Sequence, residues 1–184
     1  LKKGQNQEFL ESLGKLILDN IGSCKDKQLL FDLEKKARVL NIDQIKLIDS
    51  LIYLALTEVD DIGRINADLW VKISATELLL RLGVYTGEVA LALAPFLLTP
   101  CSSFLKRVIV EQLKLMDEAM GGQFMAFLNQ QIASGENDYA QLILDKFNII
   151  NKLENMNFKP RLFKPEPLPQ QAASSDSSLR IKLY

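Results

Sequence analysis

The sequence predicts an all-α fold of antiparallel helical hairpins, about eight helices over residues 1–157, followed by an extended tail over 158–184. Three observations predict it. Residues 68–83, DLWVKISATELLLRLG, read as one amphipathic helix with a clean stop. Val71, Ala75, Leu78, Leu79 and Leu82 recur at helical spacing, while Lys72, Glu77 and Arg81 point away from that face. The pattern also returns every 34 residues, setting Val71 with Leu105 and Tyr139, Ala75 with Ile109 and Ile143, Leu79 with Leu113 and Phe147, and Leu82 with Met116 and Ile150. A repeat of this length suits stacked helical hairpins, against chance register of ordinary amphipathic helices. Third, no segment before the tail alternates like a strand between hairpin turns.

The elements follow in order. Residues 5–21 carry Phe9, Leu10, Leu13, Leu16, Ile17 and Ile21 as one stripe, ended by Gly22-Ser23. Residues 26–40 place Leu29, Leu30, Leu33, Ala37 and Leu40 inward, leave Glu34, Lys35, Lys36 and Arg38 to solvent, and stop at Asn41. Residues 43–58 become apolar nearly all round, which implies contacts on two sides. After a loop with Asp60, Asp61 and Gly63 comes the helix over 68–83, with Asp68 as its N-cap or first-turn acid and Gly83 as its C-cap. Pro95 kinks or ends the fifth helix, over 87–98. The sixth, over 102–117, turns Phe104, Leu105, Val108, Ile109, Leu113 and Met116 inward. Gly121-Gly122 introduces a short seventh over 123–132, and 138–153 is the eighth.

Composition narrows the chemistry. The 184 residues are 48% hydrophobic, enough for a core, and the net charge of −1 gives no global pull toward nucleic acid or anionic membrane. There is no histidine, which removes the commonest general base and metal ligand. Cys24 and Cys101 have no C-x-x-C partner, so no zinc site or disulfide framework is expected, and both read as small hydrophobes in a reducing, cytoplasmic compartment. The first residue is leucine, which suggests a fragment, a processed product or part of something longer. Residues 16–18 are flanked by charges, unlike a signal peptide, and the oily stretch 78–98 is broken by Arg81, Gly83, Gly87, Glu88 and Pro95, so no membrane span is expected.

DLWVKISATELLLRLG resembles the second helix of a HEAT-type repeat. Such a helix opens with a small apolar residue followed by Arg or Lys, packs closely through alanine and ends on Leu-Gly; Val71-Lys72, Ala75, Leu79 and Leu82-Gly83 occupy these places. Leu105-Lys106 with Leu113 is a degenerate second copy, and Tyr139 with Ile143 and Phe147 a third, so the resemblance spans about residues 44–153. Only Leu82-Gly83 has the glycine ending, Ala140 replaces the basic residue, and Asn66 and Pro100 stand where such repeats often hold aspartate. A 34-residue step also suits tetratricopeptide repeats, but their Trp-Leu-Gly-Tyr spacing is absent. The HEAT resemblance implies a right-handed HEAT/ARM-like α-solenoid and an interaction scaffold, with no catalytic residues and no cofactor.

The tail differs in kind. It holds Pro160, Pro165, Pro167 and Pro169, then QQAASSDSS, and reads as an extended arm. Its five basic residues against two acidic give it +3, while the rest of the chain, with 17 basic and 21 acidic residues, carries −4. In FKPRLFKP, Phe158 and Phe163 either pack back on the helical body or, among their basic neighbours, touch nucleic acid. SLRIKLY alternates Leu179, Ile181 and Leu183 with Arg180 and Lys182, suiting addition to a sheet edge or groove of a neighbour.

The expected function is a non-catalytic protein–protein interaction scaffold, a segment or subunit of a larger assembly. Its candidate contact residues are Trp70, Lys72, Arg81, Lys106 and Arg107 on the body, with Phe163, Leu179, Ile181 and Leu183 in the tail. The alternative is a nucleic-acid-associated helical adaptor using the basic arm and Lys106-Arg107. An enzyme, or any small-molecule substrate, is disfavoured: there is no glycine-rich phosphate loop, and Ser102-Ser103 beside Cys101 has no base to activate it. Glu58, Asp60 and Asp61 are oxygen ligands without calcium-loop spacing, read as a solvated loop. Ser174, Ser175, Ser177 and Ser178 are open to phosphorylation, which would reverse the local charge.

Overall fold

The computed structural model describes residues 3–59, 61–135 and 137–157. They form eight α-helices and, among the described residues, no strand: α1 Lys3–Gly22, α2 Lys27–Val39, α3 Gln44–Leu56, α4 Ile65–Arg81, α5 Gly87–Leu93, α6 Ser103–Ala119, α7 Gln123–Ser134 and α8 Asp138–Asn157. A 3₁₀ turn, Ile62–Arg64, precedes α4, and another, Ala94–Leu98, follows α5 where Pro95 denies the α-helical ladder a donor.

Side-chain caps start several helices. Asp26 accepts from the Leu29 N–H at 2.8 Å, Asp43 from the Ile45 N–H at 2.9 Å, and Ser102 from the Leu105 N–H at 3.2 Å. Asp68 is a first-turn acid rather than a cap, because α4 begins at Ile65, three residues earlier than the apolar pattern suggests. The three long even-numbered helices before α8 end alike. Asn41 (φ 50), Gly83 (φ 75) and Gly121 (φ 66) adopt the left-handed conformation. After each, the next residue's N–H reaches back five residues: Ile42 to the Ala37 carbonyl at 3.0 Å, Val84 to Leu79 at 2.9 Å, and Gly122 to Asp117 at 2.8 Å. This is the Schellman ending, and it makes α2 a counterpart of α4 and α6.

The helices pack α1 on α2 and α3, α2 on α4, α3 on α4 and α5, α4 on α5 and α6, α5 on α6 and α7, α6 on α7 and α8, and α7 on α8. The core runs through them without a break, with Ile21, Leu30, Leu51, Leu69, Leu79, Leu97, Leu105, Ile109 and Leu113 fully enclosed. α4 lies between α2, α3, α5 and α6, and nine consecutive positions of it, 71–79, are buried save Glu77. A single apolar face was the expectation; contact on several sides is the finding.

Several residues depart from their expected places for that reason or a related one, among them Leu29 and Leu40, expected inward but 48% and 38% exposed. Glu34, expected in solvent, is 4% exposed and accepts from Arg38 Nε at 2.6 Å, so its charge is answered within its own helix. Phe104, expected inward, is 47% exposed, because Leu105 takes the inward place at the start of α6. Tyr139 is 66% exposed, whereas the equivalent Val71 and Leu105 are 3% and 1% exposed. The last turn of α8, not its first, meets the start of α6: Glu154 lies 3.6 Å from Arg107. The third repeat copy therefore does not take the place that the 34-residue step assigns it.

No described helix is long and apolar enough to cross a membrane. The tail residues Phe163, Leu179, Ile181 and Leu183, and the loop residue Asp60, lie outside the described residues.

Candidate functional site

The starts of α2, α4 and α6 come together at one edge of the molecule. The Asn66 side-chain carbonyl accepts from the Ser102 N–H at 3.1 Å, tying the first turn of α4 to the cap of α6. One turn further along α4, Trp70 is half-buried, and its ring centroid lies 5.8 Å from that of Phe104, tilted by 44°. That geometry lies between stacked and edge-to-face, within the range where aromatic pairs attract. Lys27, the first residue of α2, sets its ammonium 4.7 Å from the Trp70 centroid. Arg107 sets its guanidinium carbon 5.7 Å from the Phe104 centroid. The result is a ridge in the order Lys27, Trp70, Phe104, Arg107, two aromatic faces between two cations.

The ridge suits recognition. Trp and Arg are the residues most enriched at interface hot spots, since they combine a large rigid surface with a polar handle. Each cation stands over a ring and is held there by the ring quadrupole. Beside it, Lys25, Asp26, Lys27, Ala67 and Trp70 line a shallow hollow of about 260 Å³. Arg107 also faces Glu154, so the ridge continues to the C-terminal turn of α8.

The expected contact residues separate into two groups. Trp70 and Arg107 lie on the ridge; Lys106, half-buried and next to Arg107 in sequence, falls on another face of α6, where its charge acts on the Cys101 thiol. Arg81 does not join them. It sits at the far end of α4, paired with Glu77 and 5.8 Å above the Phe31 ring of α2. Lys72 is a correction. Only 6% exposed, it faces α3 instead of solvent, and its ammonium donates to the Ala55 carbonyl at 3.2 Å. That carbonyl is in the last turn of α3, where no amide of the helix reaches it, so the lysine acts as a C-terminal cap from a neighbouring helix. Burial pulls the Lys72 pKa down to about 8; Asp68 and Glu58 oppose the shift and Lys25 adds to it. A residue so placed presents nothing to a partner.

Two ridge members were missed in the sequence. Lys27 is 43 positions from Trp70, and nothing local links them. Phe104 carried a usable signal: it precedes Leu105 directly, and neighbouring residues cannot share one helical face.

Elsewhere the chemistry is sparse. Among the described residues no three His, Cys, Asp or Glu gather to hold a metal ion. Asp61 turns its carboxylate onto the Gly63 N–H at 2.8 Å. Both thiols are free: burial pushes Cys24 and Cys101 above the ordinary cysteine range, away from reactive thiolate. A concavity of about 870 Å³ is an open trough between α1 and α3 with mixed charges, Glu11, Asp19, Asp43 and Asp49 against Lys15 and Lys46. Compared with family models, curated proteins and solved structures, the chain matches none.

Proposed function

We propose that this chain is a non-catalytic scaffold of a larger protein assembly, built as a HEAT-like α-solenoid segment, and that the Lys27–Trp70–Phe104–Arg107 ridge is its partner surface. The observation that carries the reading is the Trp70–Phe104 pair at 5.8 Å, supplied by adjacent helices and flanked by cations. Such a surface takes an extended protein segment that offers an apolar side chain to the rings and carboxylates to the flanks. Three things support the solenoid architecture: each odd helix packs on the even one after it, even helices adjoin even ones, and α2, α4 and α6 share one ending. The last seven tail residues, with Leu179, Ile181 and Leu183, are a second contact for a neighbouring subunit. Two free cysteines fit a reducing, cytoplasmic setting.

The test is a photo-crosslinking residue placed at 104 of the full chain in its native cell, with position 130 of α7 as the control. A protein adduct from 104 and none from 130 supports the scaffold. No adduct from either contradicts it. A second reading has its own observation: paired aromatics beside cations also stack nucleobases. An adduct to RNA or DNA, with binding that weakens steeply as salt rises, selects that adaptor reading instead.

A further inference from the structure

α1 and α3 lie side by side and run in the same direction. A Cβ at Gly14 would sit 3.6 Å from the Ile42 side chain, and one at Gly22 would sit 3.5 Å from the Tyr53 ring. The open trough between the two helices continues in two adjoining basins, of about 870 and 620 Å³, which share Leu18, Asp19, Asp49 and Ser50 at a common waist. Its α3 wall, from Asp43 to Thr57, spans about 21 Å at 1.5 Å per helical residue. Leu10, Leu18, Ile42 and Leu54 give the lining its apolar part, and Tyr53, 66% exposed, stands in the second basin. The four ridge residues take no part in it.

The charges keep step with the helical turn on both walls. Glu11, Lys15 and Asp19 follow one another at i, i+4 and i+8 on α1, and Asp43, Lys46 and Asp49 at i, i+3 and i+6 on α3. This spacing suits local ion pairs, yet among the described residues none of the six forms one. Glu11 accepts from the Gln7 amide and Asp43 from the Ile45 N–H. The Asp19 and Asp49 carboxylates, at the waist, have no hydrogen-bond or ion-pair partner among the described residues. The larger basin thus sets four carboxylates against two ammonium groups, a net −2, and Lys25 lines only the smaller one.

We propose that this trough is a second interaction surface, and that it takes a basic amphipathic helix of a partner protein, with an arginine or lysine of that helix entering the waist between Asp19 and Asp49. Charge complementarity selects the sign: an incoming cation meets two carboxylates from opposite walls, and a phosphate or an acidic segment is repelled. The walls select a helix. Their backbone amides are taken up within α1 and α3, and among the described residues no strand offers an edge. An extended segment would bring unpaired N–H and C=O groups onto the apolar lining, whereas a helix satisfies its own. Apolar side chains at i, i+4 and i+7 of that helix fit along the trough, as in other helix-in-groove complexes. A second copy is the poorer occupant. Its most basic described helix, α2, already buries its apolar face through Leu30, Leu33 and Ala37.

The experiment places a photo-crosslinking phenylalanine analogue at position 53 of the full chain in its native cell and sequences the crosslinked peptide. The expected adduct is a segment of another protein with net positive charge and apolar residues at i, i+4 and i+7. Its yield should fall about tenfold in Asp19→Asn with Asp49→Asn, and stay unchanged in Trp70→Ala, the helical circular-dichroism signal being preserved in both. Lys15→Glu with Lys46→Glu should raise the yield, and carries the same test should the asparagine pair fail to fold. The proposal is overturned by the absence of an adduct, by an adduct to an acidic segment, to nucleic acid or to a second copy of this chain, or by a yield indifferent to these charges.

Discussion

The Lys72 ammonium donates to the Ala55 carbonyl at 3.2 Å, joining the middle of α4 to the last turn of α3. Burial lowers the Lys72 pKa to about 8, while an unfolded chain holds the ordinary value near 10.5. Below pH 8 both states are charged, and the folded state bears the whole cost of the buried charge. Between pH 8 and 10.5 the unfolded state binds more protons, so stability from this group rises with pH. Urea unfolding of the wild type and Lys72→Met at pH 7, 8.5 and 9.5 should show the wild type gaining on the variant at each step. A constant difference would refute the buried placement.

The Trp70–Phe104 pair should be energetically coupled. A double-mutant cycle with Trp70→Ala and Phe104→Ala, read by urea unfolding, should return a coupling of about 0.5–1.5 kcal/mol. Additive losses would mean that the rings are neighbours without attraction.

Gly83 ends α4 at φ 75, with no atom within 4 Å of where a Cβ would sit. Gly83→Ala therefore meets only backbone strain, and thermal unfolding should show a loss of about 1 kcal/mol. An unchanged midpoint would argue against the Schellman ending. Asn41→Gly, at the equivalent end of α2 with φ 50, should change stability in the opposite direction.

The repeat columns make unequal predictions. Ile109→Ala and Leu113→Ala remove side chains with no exposed surface and should cost about 2–5 kcal/mol each. Tyr139→Ala, in the same nominal pattern but 66% exposed, should stay within about 0.5 kcal/mol. Equal losses at all three would restore the 34-residue step as a structural repeat.

These contrasts show what the sequence can carry. Helices are legible because each needs only local information, an apolar period and a stop such as Asn41, Gly83 or Gly121. The buried columns are legible for the same reason, as Ala75, Ile109 and Ile143 show. What encloses a helix is not local. Lys72 reads as a surface residue because α4's other neighbours, α3 and α5, are invisible in its own periodicity. α2 escapes the 34-residue pattern because its Schellman ending lies 42 residues before that of α4. Tyr139 fails because a helix face survives a change of direction while its place along the partner does not: Glu154 occupies the position beside Arg107. Of the ridge, Trp70 and Arg107 were legible as residue types suited to contact. Lys27 was not, since its distance from Trp70 is closed only by packing.

The most direct measurement of the central claim is the affinity of the full chain for the protein crosslinked from position 104, with and without Trp70→Ala and Phe104→Ala. Titration of the purified pair should show binding weakened at least 30-fold in the double variant, the helical circular-dichroism signal being unchanged. Undiminished affinity in a folded double variant would contradict the ridge as the partner surface.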